Sequence, residues 1–288
     1  MKERTSEEIV ELARRTIAAR RETEQAARAE RESPWRFIFM GMLGALLLGL
    51  LLWPGPPLNW KMYAVVHGVC AQIHNVDLGG VQLPLCARNT GIYGSFTITT
   101  LYLLLLGRQR AAKLPPWPVT IALVAFVLIM AVDGFNSMFR DLFLPHLYTP
   151  RNELRTLTGI GMGTTLAVAI LLILNLSLRR DADTSQRILG GWLELGGALL
   201  LNLLVLAAIY GNVGVMYWPI AIVAWTGIVG VLFCVNLLVI ALLMRYENAV
   251  TRVGQLARPA SVALVVTLVM LGAMSWGRFW LEANGFAL

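Results

Sequence analysis

Seven long apolar blocks constrain this 288-residue chain more than any other feature of its sequence. Each block is close to or above the ~20 residues that a helix needs to cross a hydrocarbon core of ~30 Å. Helices satisfy their backbone hydrogen bonds internally within a bilayer, so the sequence predicts an all-α, polytopic transmembrane bundle with seven spans. The predicted spans cover residues 35–53, 87–106, 117–138, 154–178, 188–210, 217–244 and 259–281.

The composition agrees with this prediction and narrows the possible functions. Hydrophobic residues make up 57% of the chain and charged residues 14%, whereas soluble domains have about 45–50% and 25%. A soluble enzyme and a secreted disulfide scaffold are therefore excluded. The net charge of +7 does not indicate nucleic-acid binding, because residues 1–33 hold eight basic and eight acidic side chains. The positive excess lies in short loops between the apolar blocks, next to the lipid bilayer.

The basic residues also predict the orientation of the chain. With seven spans, 18 of the 24 Lys and Arg residues fall on one side of the membrane and six on the other. Cytoplasmic loops carry the excess of Lys and Arg, so we expect a cytoplasmic N-terminus and an outside C-terminus in the cell inner (plasma) membrane. Aromatic residues such as Trp53 and Trp280 lie at the predicted outer boundaries, where interfacial aromatics are enriched.

Two segments flank the first span. Residues 1–33 are predicted to form a cytoplasmic charged helix, and residues 34–288 a seven-span membrane domain. The helix at residues 5–32 is either a solvated lead into the membrane or a docking helix for a membrane-protein partner. Residues 60–77 are too polar for a lipid-facing span, so we expect an interfacial or re-entrant helix that ends at Gly79-Gly80.

Polar residues gather at the predicted outer ends of the spans. An ionisable residue within a span needs a partner and marks a functional site by default. Asp133 is the clearest case, with Arg88 or Arg155 as its counter-ion. The group is either a structural ion-pair lock or a pocket for a small polar or anionic ligand. The candidate pocket residues are Arg88, Asn89, Asp133, Asn136, Asn152, Arg155, Thr158 and Arg278.

Cysteine and histidine residues on the same side suggest two further chemistries. His67, Cys70, His74 and Asp77 would share one face of a helix, and Cys86 follows nearby. Thiolate and imidazole ligands suit zinc or copper, so Cys70, His74, Cys86 and His67 are candidate metal ligands. The two histidines would lie too far apart for one ion, which would therefore bind Cys70, Cys86 and either His74 or His67. The alternative is a Cys70–Cys86 disulfide, which an oxidising compartment outside the membrane would favour.

Other polar and small residues inside the spans are expected to serve packing. Gly159 and Gly163 predict close helix packing, because small residues let two backbones approach. Asn175, Asn202 and Asn236 are expected to form interhelical hydrogen bonds. Glu194 is either a proton-relay group or a snorkelling or paired carboxylate near the cytoplasmic side.

Two motifs carry a family resemblance over about residues 62–175. The first is Val69-Cys70-Ala71-Gln72, followed by Leu83-Pro84-Leu85-Cys86-Ala87-Arg88-Asn89-Thr90-Gly91-Ile92-Tyr93-Gly94. The second comprises Asp133-Gly134 and then Asn152, Arg155, Thr158 and Gly159. Together they resemble a prokaryotic family of predicted membrane proteins catalogued as domain of unknown function 2085. That resemblance implies a membrane protein and no particular activity.

The chain departs from the family pattern at two positions. The family usually reads Cys-His-Gln and Cys-x-x-Cys, whereas this chain has Ala71 and Asn89 in place of the His and the last Cys. If these family residues are metal ligands or redox thiols, half of the set is missing here, and either the site has degenerated or His67 and His74 substitute from neighbouring turns. The retained Arg88, Asp133, Asn152 and Arg155 favour the polar pocket over thiol chemistry.

Three functions remain open at this point. The protein binds or transports a small polar or anionic ligand or a metal ion, serves as an accessory subunit of a larger membrane complex, or acts as a membrane thiol or metal oxidoreductase. The first is favoured, because the sequence shows no nucleophile–base pair and no phosphate-binding loop.

Overall fold

Long helices dominate the architecture. The computed structural model describes residues 6–70 and 74–285. Its α-helices are α1 (Ser6–Leu52), α2 (Leu58–Val66), α3 (Ala87–Leu105), α4 (Trp117–Asp141), α5 (Asn152–Leu178), α6 (Trp192–Tyr210), α7 (Tyr217–Leu243) and α8 (Ala257–Ala283).

Short strands join some of the helices at both ends of the bundle. Strands β1 (Asp77–Leu78) and β2 (Val81–Gln82) form an antiparallel hairpin between α2 and α3. Its turn holds Gly79 and Gly80 at φ +62° and +78°, a left-handed backbone that glycine adopts at no steric cost. At the opposite end, β3 (Ala111–Lys113) pairs in parallel with β4 (Asp183–Arg187) and ties the α3–α4 connection to the α5–α6 connection.

Contacts along α1 show in which direction this helix runs through the bundle. Near the middle of α1, the Glu32 carboxylate accepts hydrogen bonds from the Tyr246 hydroxyl and the Arg258 backbone N–H. Near the end of α1, Lys61 Nζ donates to the Leu50 carbonyl oxygen at 3.1 Å. Thus α1 passes from one end of the bundle to the other. Its middle lies at the end where α7 stops and α8 begins, and its C-terminus lies at the end that holds α2.

The central helix is α3, which packs against α5, α6 and α7. Ser95 donates to the Ile160 carbonyl oxygen on α5 at 2.9 Å, and Thr97 donates to the Val223 carbonyl oxygen on α7 at 2.9 Å. Neighbouring helices therefore provide acceptors for Ser95 and Thr97 of α3. This environment explains how a helix with so many Ser, Thr and Gly residues fits inside the bundle.

Among the described residues, six helical segments are long and apolar enough to cross a membrane. They are Glu32–Leu52, Trp117–Asp141, Asn152–Leu178, Trp192–Tyr210, Gly214–Leu243 and Val253–Ala283. They correspond to six of the seven predicted spans. The remaining predicted span, residues 87–106, corresponds to α3. With 19 residues at about 1.5 Å each, α3 is about as long as a hydrocarbon core is thick, but its composition is too polar for the same criterion.

The structure confirms the close packing predicted for Gly159 and Gly163. A Cβ atom on Gly159 would lie 2.5 Å from the Arg88 carbonyl oxygen of α3. A Cβ atom on Gly163 would overlap the Ile92 carbonyl oxygen. These two glycines let α5 approach the backbone of α3 at the point where both helices carry their polar residues.

Of the three asparagines expected to form interhelical hydrogen bonds, Asn202 and Asn236 do so, and Asn175 does not. Asn202 Nδ2 donates to Thr99 Oγ1 at 3.2 Å, and Asn236 Nδ2 donates to Thr267 Oγ1 at 3.0 Å, each on a neighbouring helix. Asn175 donates to the Ala111 carbonyl oxygen, which lies in the connection after α3 rather than on a helix. Glu194 forms an ion pair with Arg108, so of its two interpretations the paired carboxylate is confirmed.

The predicted helix over residues 60–77 is wrong in its extent. Helix α2 ends at Val66, and a 3₁₀ turn over His67–Val69 follows it. Nine residues span only about 14 Å, so α2 cannot cross a membrane. It packs against α7 and α8 instead, where Trp225 Nε1 donates to the Met62 carbonyl oxygen at 3.0 Å. Gly79-Gly80 is a hairpin turn and not a helix end.

The charged N-terminal segment is continuous with the first span. Helix α1 runs over 47 residues through Pro34, with no interruption at residue 33. The side chains described between residues 11 and 23 are exposed. Residue 5, the predicted start of the helix, lies outside the described residues.

Candidate functional site

Three helix ends bring polar side chains together around Asp133. Asp133 and Ser137 lie one turn apart on the last turns of α4. Arg88 lies on the first turn of α3, and Arg155 and Thr158 lie on the first turns of α5. The connection between α4 and α5 adds Tyr148. These six residues are called the Asp133 cluster below, and this end of the bundle the Asp133 end.

The buried Asp133 carboxylate accepts hydrogen bonds from three side chains. Arg88 Nη2 donates to Oδ2 at 2.6 Å, and the Tyr148 hydroxyl donates to Oδ1 at 2.6 Å. Thr158 Oγ1 donates to Oδ2 at 3.3 Å. With only 1% of its surface exposed, an ionised Asp133 depends on these donors, because a buried charge must be paired and hydrogen-bonded.

Tyr148 is held as a donor by its surroundings. Burial and the hydrogen bond to the Asp133 carboxylate raise the pKa of Tyr148 to about 12. The hydroxyl therefore keeps its proton at neutral pH and donates to Asp133. Asn136 fixes the connection that carries Tyr148, because its Oδ1 accepts from Leu147 N–H at 2.7 Å and its Nδ2 donates to the Tyr148 carbonyl oxygen at 2.9 Å.

Arg155 is the most enclosed cation of the Asp133 cluster, with 3% of its surface exposed. Its Nη1 donates to Asn152 Oδ1 at 3.0 Å, and its Nε lies 3.4 Å from Ser137 Oγ. Its Nη2 is buried and has no hydrogen-bond acceptor among the described residues, and the same holds for Arg88 Nε. Within the cluster Arg88 is paired with the one carboxylate and Arg155 is not, so the cluster carries one excess positive charge and two guanidinium nitrogen atoms without an acceptor among the described residues.

The segment before α3 contacts the same helix ends. Asn152 Nδ2 donates to the Asn75 carbonyl oxygen at 3.1 Å. His74 Nε2 lies 3.2 Å from Asp141 Oδ2 at the end of α4. Asn89 lies half-buried next to Arg88 and, within the described part of the chain, joins no side-chain hydrogen bond of the cluster.

Arg278, which the sequence places in the same pocket, lies in a second group on α2 and α8. Arg278 Nε donates to Glu282 Oε1 at 2.7 Å, and Glu282 Oε2 lies 2.9 Å from Nε2 of the buried His67. The His67 ring packs between Tyr63 and Phe279, with centroid distances of 4.9 and 4.3 Å. This group fastens the segment after α2 to the end of α8.

The predicted metal ligands divide between different partners. Cys70 Sγ and Cys86 Sγ lie 2.7 Å apart, whereas His67 faces Glu282 and His74 faces Asp141. In residues 6–70 and 74–285, no three His, Cys, Asp or Glu side chains are grouped to hold a metal ion. The neighbouring Cys70 sulfur and burial raise the pKa of the Cys86 thiol.

Two members of the Asp133 cluster were missed from the sequence. Ser137 carried a usable signal, because it follows Asp133 by four residues and therefore shares its helix face. Tyr148 carried none, since it lies in an irregular connection whose path depends on the backbone contacts of Asn136.

Comparison with known protein families agrees with the resemblance. Residues 70–169 match the profile of a family described as a predicted membrane protein, DUF2085. Together with the apolar helices, this match identifies a multi-pass integral membrane protein. The matched segment contains every residue of the Asp133 cluster and both Cys70 and Cys86, but neither His67 nor Arg278. No curated protein and no solved structure matches the chain.

Proposed function

We propose that the Asp133 cluster binds a small anion, of the carboxylate or phosphate class, on the extracytoplasmic side of the membrane for transport or sensing. The observation that carries this proposal is the buried Arg155 guanidinium, whose Nη2 has no acceptor among the described residues. Guanidinium groups bind carboxylate and phosphate oxygens through short charge-assisted hydrogen bonds. An anion at Arg155 would supply the missing acceptor.

The charge balance of the cluster favours a ligand over a purely structural ion pair. A structural lock needs one carboxylate for one cation, and the Arg88–Asp133 pair at 2.6 Å already satisfies that need. Arg155 has no carboxylate within ion-pair distance among the residues described. Because an uncompensated buried charge is costly, a bound anion would stabilise the protein.

The orientation of the chain in the cell inner (plasma) membrane is part of the same proposal. Helix α3 is included as a span, which gives seven in total, and the N-terminus lies in the cytoplasm. The six basic residues counted as external include Arg88, Arg140 and Arg155, which lie at the Asp133 end. Arg108, Arg179 and Arg258, which belong to the 18 internal ones, lie at the opposite end. By the positive-inside rule, the end with more Lys and Arg faces the cytoplasm, so the Asp133 end faces the extracytoplasmic side.

Labelling from the two sides of the membrane tests this arrangement. Asp77→Cys and Gln109→Cys place exposed thiols before and after α3 in a background with serine at the three native cysteines. We expect an impermeant maleimide to label Asp77→Cys in intact cells and Gln109→Cys only after permeabilisation. Labelling of both from the same side would remove α3 as a span, and the reverse pattern would overturn the orientation.

Anion binding is tested by thermal unfolding of the detergent-purified protein with inorganic phosphate and with succinate. A ligand that binds only the folded state raises the unfolding midpoint with its concentration. We expect at least one of these anions to raise the midpoint of the wild type and to lose that effect in Arg155→Gln, which keeps the side-chain size and removes the charge.

Arg151→Gln is the matched control, because Arg151 is an exposed arginine one turn before Arg155 on the same end of the protein. It should respond to the anions as the wild type does, at equal ionic strength. An equal response of Arg155→Gln and the wild type would contradict binding at the cluster. No response of the wild type to either anion would contradict the proposed ligand class.

A further inference from the structure

Two cysteines meet at the start of the central helix. Cys70 follows the 3₁₀ turn after α2 in an extended conformation, and Cys86 is the residue that caps the N-terminus of α3. Their sulfur atoms lie 2.7 Å apart, although 16 residues separate them in the sequence. Arg88 of the Asp133 cluster follows Cys86 by only two residues. The pair therefore lies where it can influence both the start of α3 and the cluster.

The segment between residues 74 and 86 connects the cysteine pair with the Asp133 cluster. Ala87 N–H donates to the His74 carbonyl oxygen at 2.9 Å, which holds the start of this segment at the N-terminus of α3. The Asn75 carbonyl oxygen accepts from Asn152, and Asn152 in turn accepts from Arg155. A change in the position of this segment thus reaches Arg155 through two hydrogen bonds.

We propose that Cys70 and Cys86 form a disulfide that fixes residues 74–86 against the Asp133 cluster and thereby strengthens anion binding there. The effect on binding rests on the proposed anion site, and formation of the bond rests on the proposed orientation, which places both cysteines on the extracytoplasmic side. Residues 74–86 are also anchored in the apolar core, because Leu78, Leu83 and Leu85 of this segment and the adjoining Ala87 are buried. The reduced form loses only the covalent anchor at Cys70.

The bond forms by exchange with a protein disulfide of the extracytoplasmic compartment. The Cys70 thiolate attacks one sulfur of the partner disulfide, which gives a mixed disulfide and one partner thiol. The Cys86 thiolate then attacks the Cys70 sulfur, closes the intramolecular bond and releases the second partner thiol. Two cysteine thiols are oxidised, one partner disulfide is reduced, and the two protons end on the partner's sulfurs.

Thiol trapping tests the bond directly. Membranes are dissolved in denaturant with N-ethylmaleimide and without reductant, and the protein is analysed by mass spectrometry. We expect one modified cysteine, Cys234, and three after prior reduction, in agreement with the three cysteines of the chain. Three modified cysteines without reduction would overturn the proposal.

The effect on the cluster is measured as phosphate affinity of the oxidised and the reduced wild type. We expect roughly tenfold weaker binding after reduction, within the usual range of coupling between two sites. The Cys70→Ser/Cys86→Ser double variant should bind weakly with or without reductant, and Cys234→Ser should behave as the wild type. Equal affinity of the two redox states would overturn the coupling.

The two proposals fail in different ways. Oxidised wild type that carries the disulfide but binds neither phosphate nor succinate would overturn the anion site and its coupling, and the trapping result would still establish the bond. Binding that is insensitive to Arg155→Gln but sensitive to reduction would move the anion site away from the cluster. The double variant retains every residue of the Asp133 cluster, so its loss of binding cannot arise from a missing ligand group.

Discussion

Replacing Asp133 with alanine is expected to destabilise the protein by about 3–5 kcal/mol, the usual cost of removing one partner of a buried ion pair. Arg88 and the enclosed Arg155 would then face each other without any carboxylate in the cluster. The Tyr148 hydroxyl would also lose its acceptor, which lies 2.6 Å away. A lower unfolding midpoint in detergent, recorded at one fixed heating rate, measures the effect.

A second substitution separates this mechanism from a general loss of packing. In the Asp133→Ala/Arg88→Met double variant, the cation that Asp133 neutralises is gone, so we expect the midpoint to recover part of the loss. Asp77→Ala is the control, because that carboxylate is exposed at the same end of the molecule. An Asp133→Ala variant as stable as Asp77→Ala would show that the ion pair contributes nothing to the fold.

The proposed function depends on the same excess of arginine over carboxylate in the Asp133 cluster. Asp133 neutralises one arginine, and its removal leaves two cations unpaired. An added anion should therefore partly restore the stability of Asp133→Ala through Arg88 and Arg155. The cluster thus combines a structural ion pair with a second cation that is available to a ligand, so neither of the two interpretations of the sequence needs to exclude the other.

The sequence predicted that Asp133 pairs with Arg88 or Arg155, because burial of a charge within a span leaves few alternatives, and the structure shows Arg88 as the partner. Both residues lie at predicted helix ends on the same side, so the contact follows from the direction of the spans. Tyr148 and Asn136 show the limit of this reasoning. Their contacts depend on the path of a ten-residue connection between α4 and α5, and no periodic pattern describes an irregular backbone.

The segment after the first span was predicted less well. Its apolar residues suggested one helix over residues 60–77, but the helix ends at Val66. Those apolar residues serve different partners, since Met62 and Val66 are buried against the bundle and Val76 and Leu78 belong to the hairpin region. Tertiary contacts therefore interrupt a pattern that looks continuous in the sequence.

The metal site and the docking partner of residues 5–32 stay predictions. His67 Nε2 and His74 Nε2 each lie within 3.2 Å of a carboxylate oxygen, so a histidine that joins Cys70 and Cys86 around zinc or copper must bind the metal through Nδ1 or give up its carboxylate contact. For the charged helix, the exposed side chains between residues 11 and 23 are compatible with solvent as well as with a partner protein.

Substituting Gly163 with alanine is the second change for which we expect a large effect. The new Cβ atom would overlap the Ile92 carbonyl oxygen and approach Ser95 Cβ to 2.9 Å. A backbone oxygen within a helix cannot rotate away, so α5 and α3 must separate. Overpacking of this kind costs typically 1–3 kcal/mol, and we expect about 3 kcal/mol here because backbone and not a flexible side chain is in the way.

Gly196→Ala provides the matched control on α6, where an added Cβ atom meets nothing within 4 Å. There the substitution should leave the midpoint unchanged or raise it, since alanine is favoured over glycine in a helix by roughly 0.5–1 kcal/mol. Unfolding in detergent, at the same heating rate for both variants, gives the comparison. Equal midpoints would show that α3 and α5 do not approach as closely as described. Because Arg88 and Arg155 are carried on these two helices, a separation should also weaken phosphate binding in Gly163→Ala.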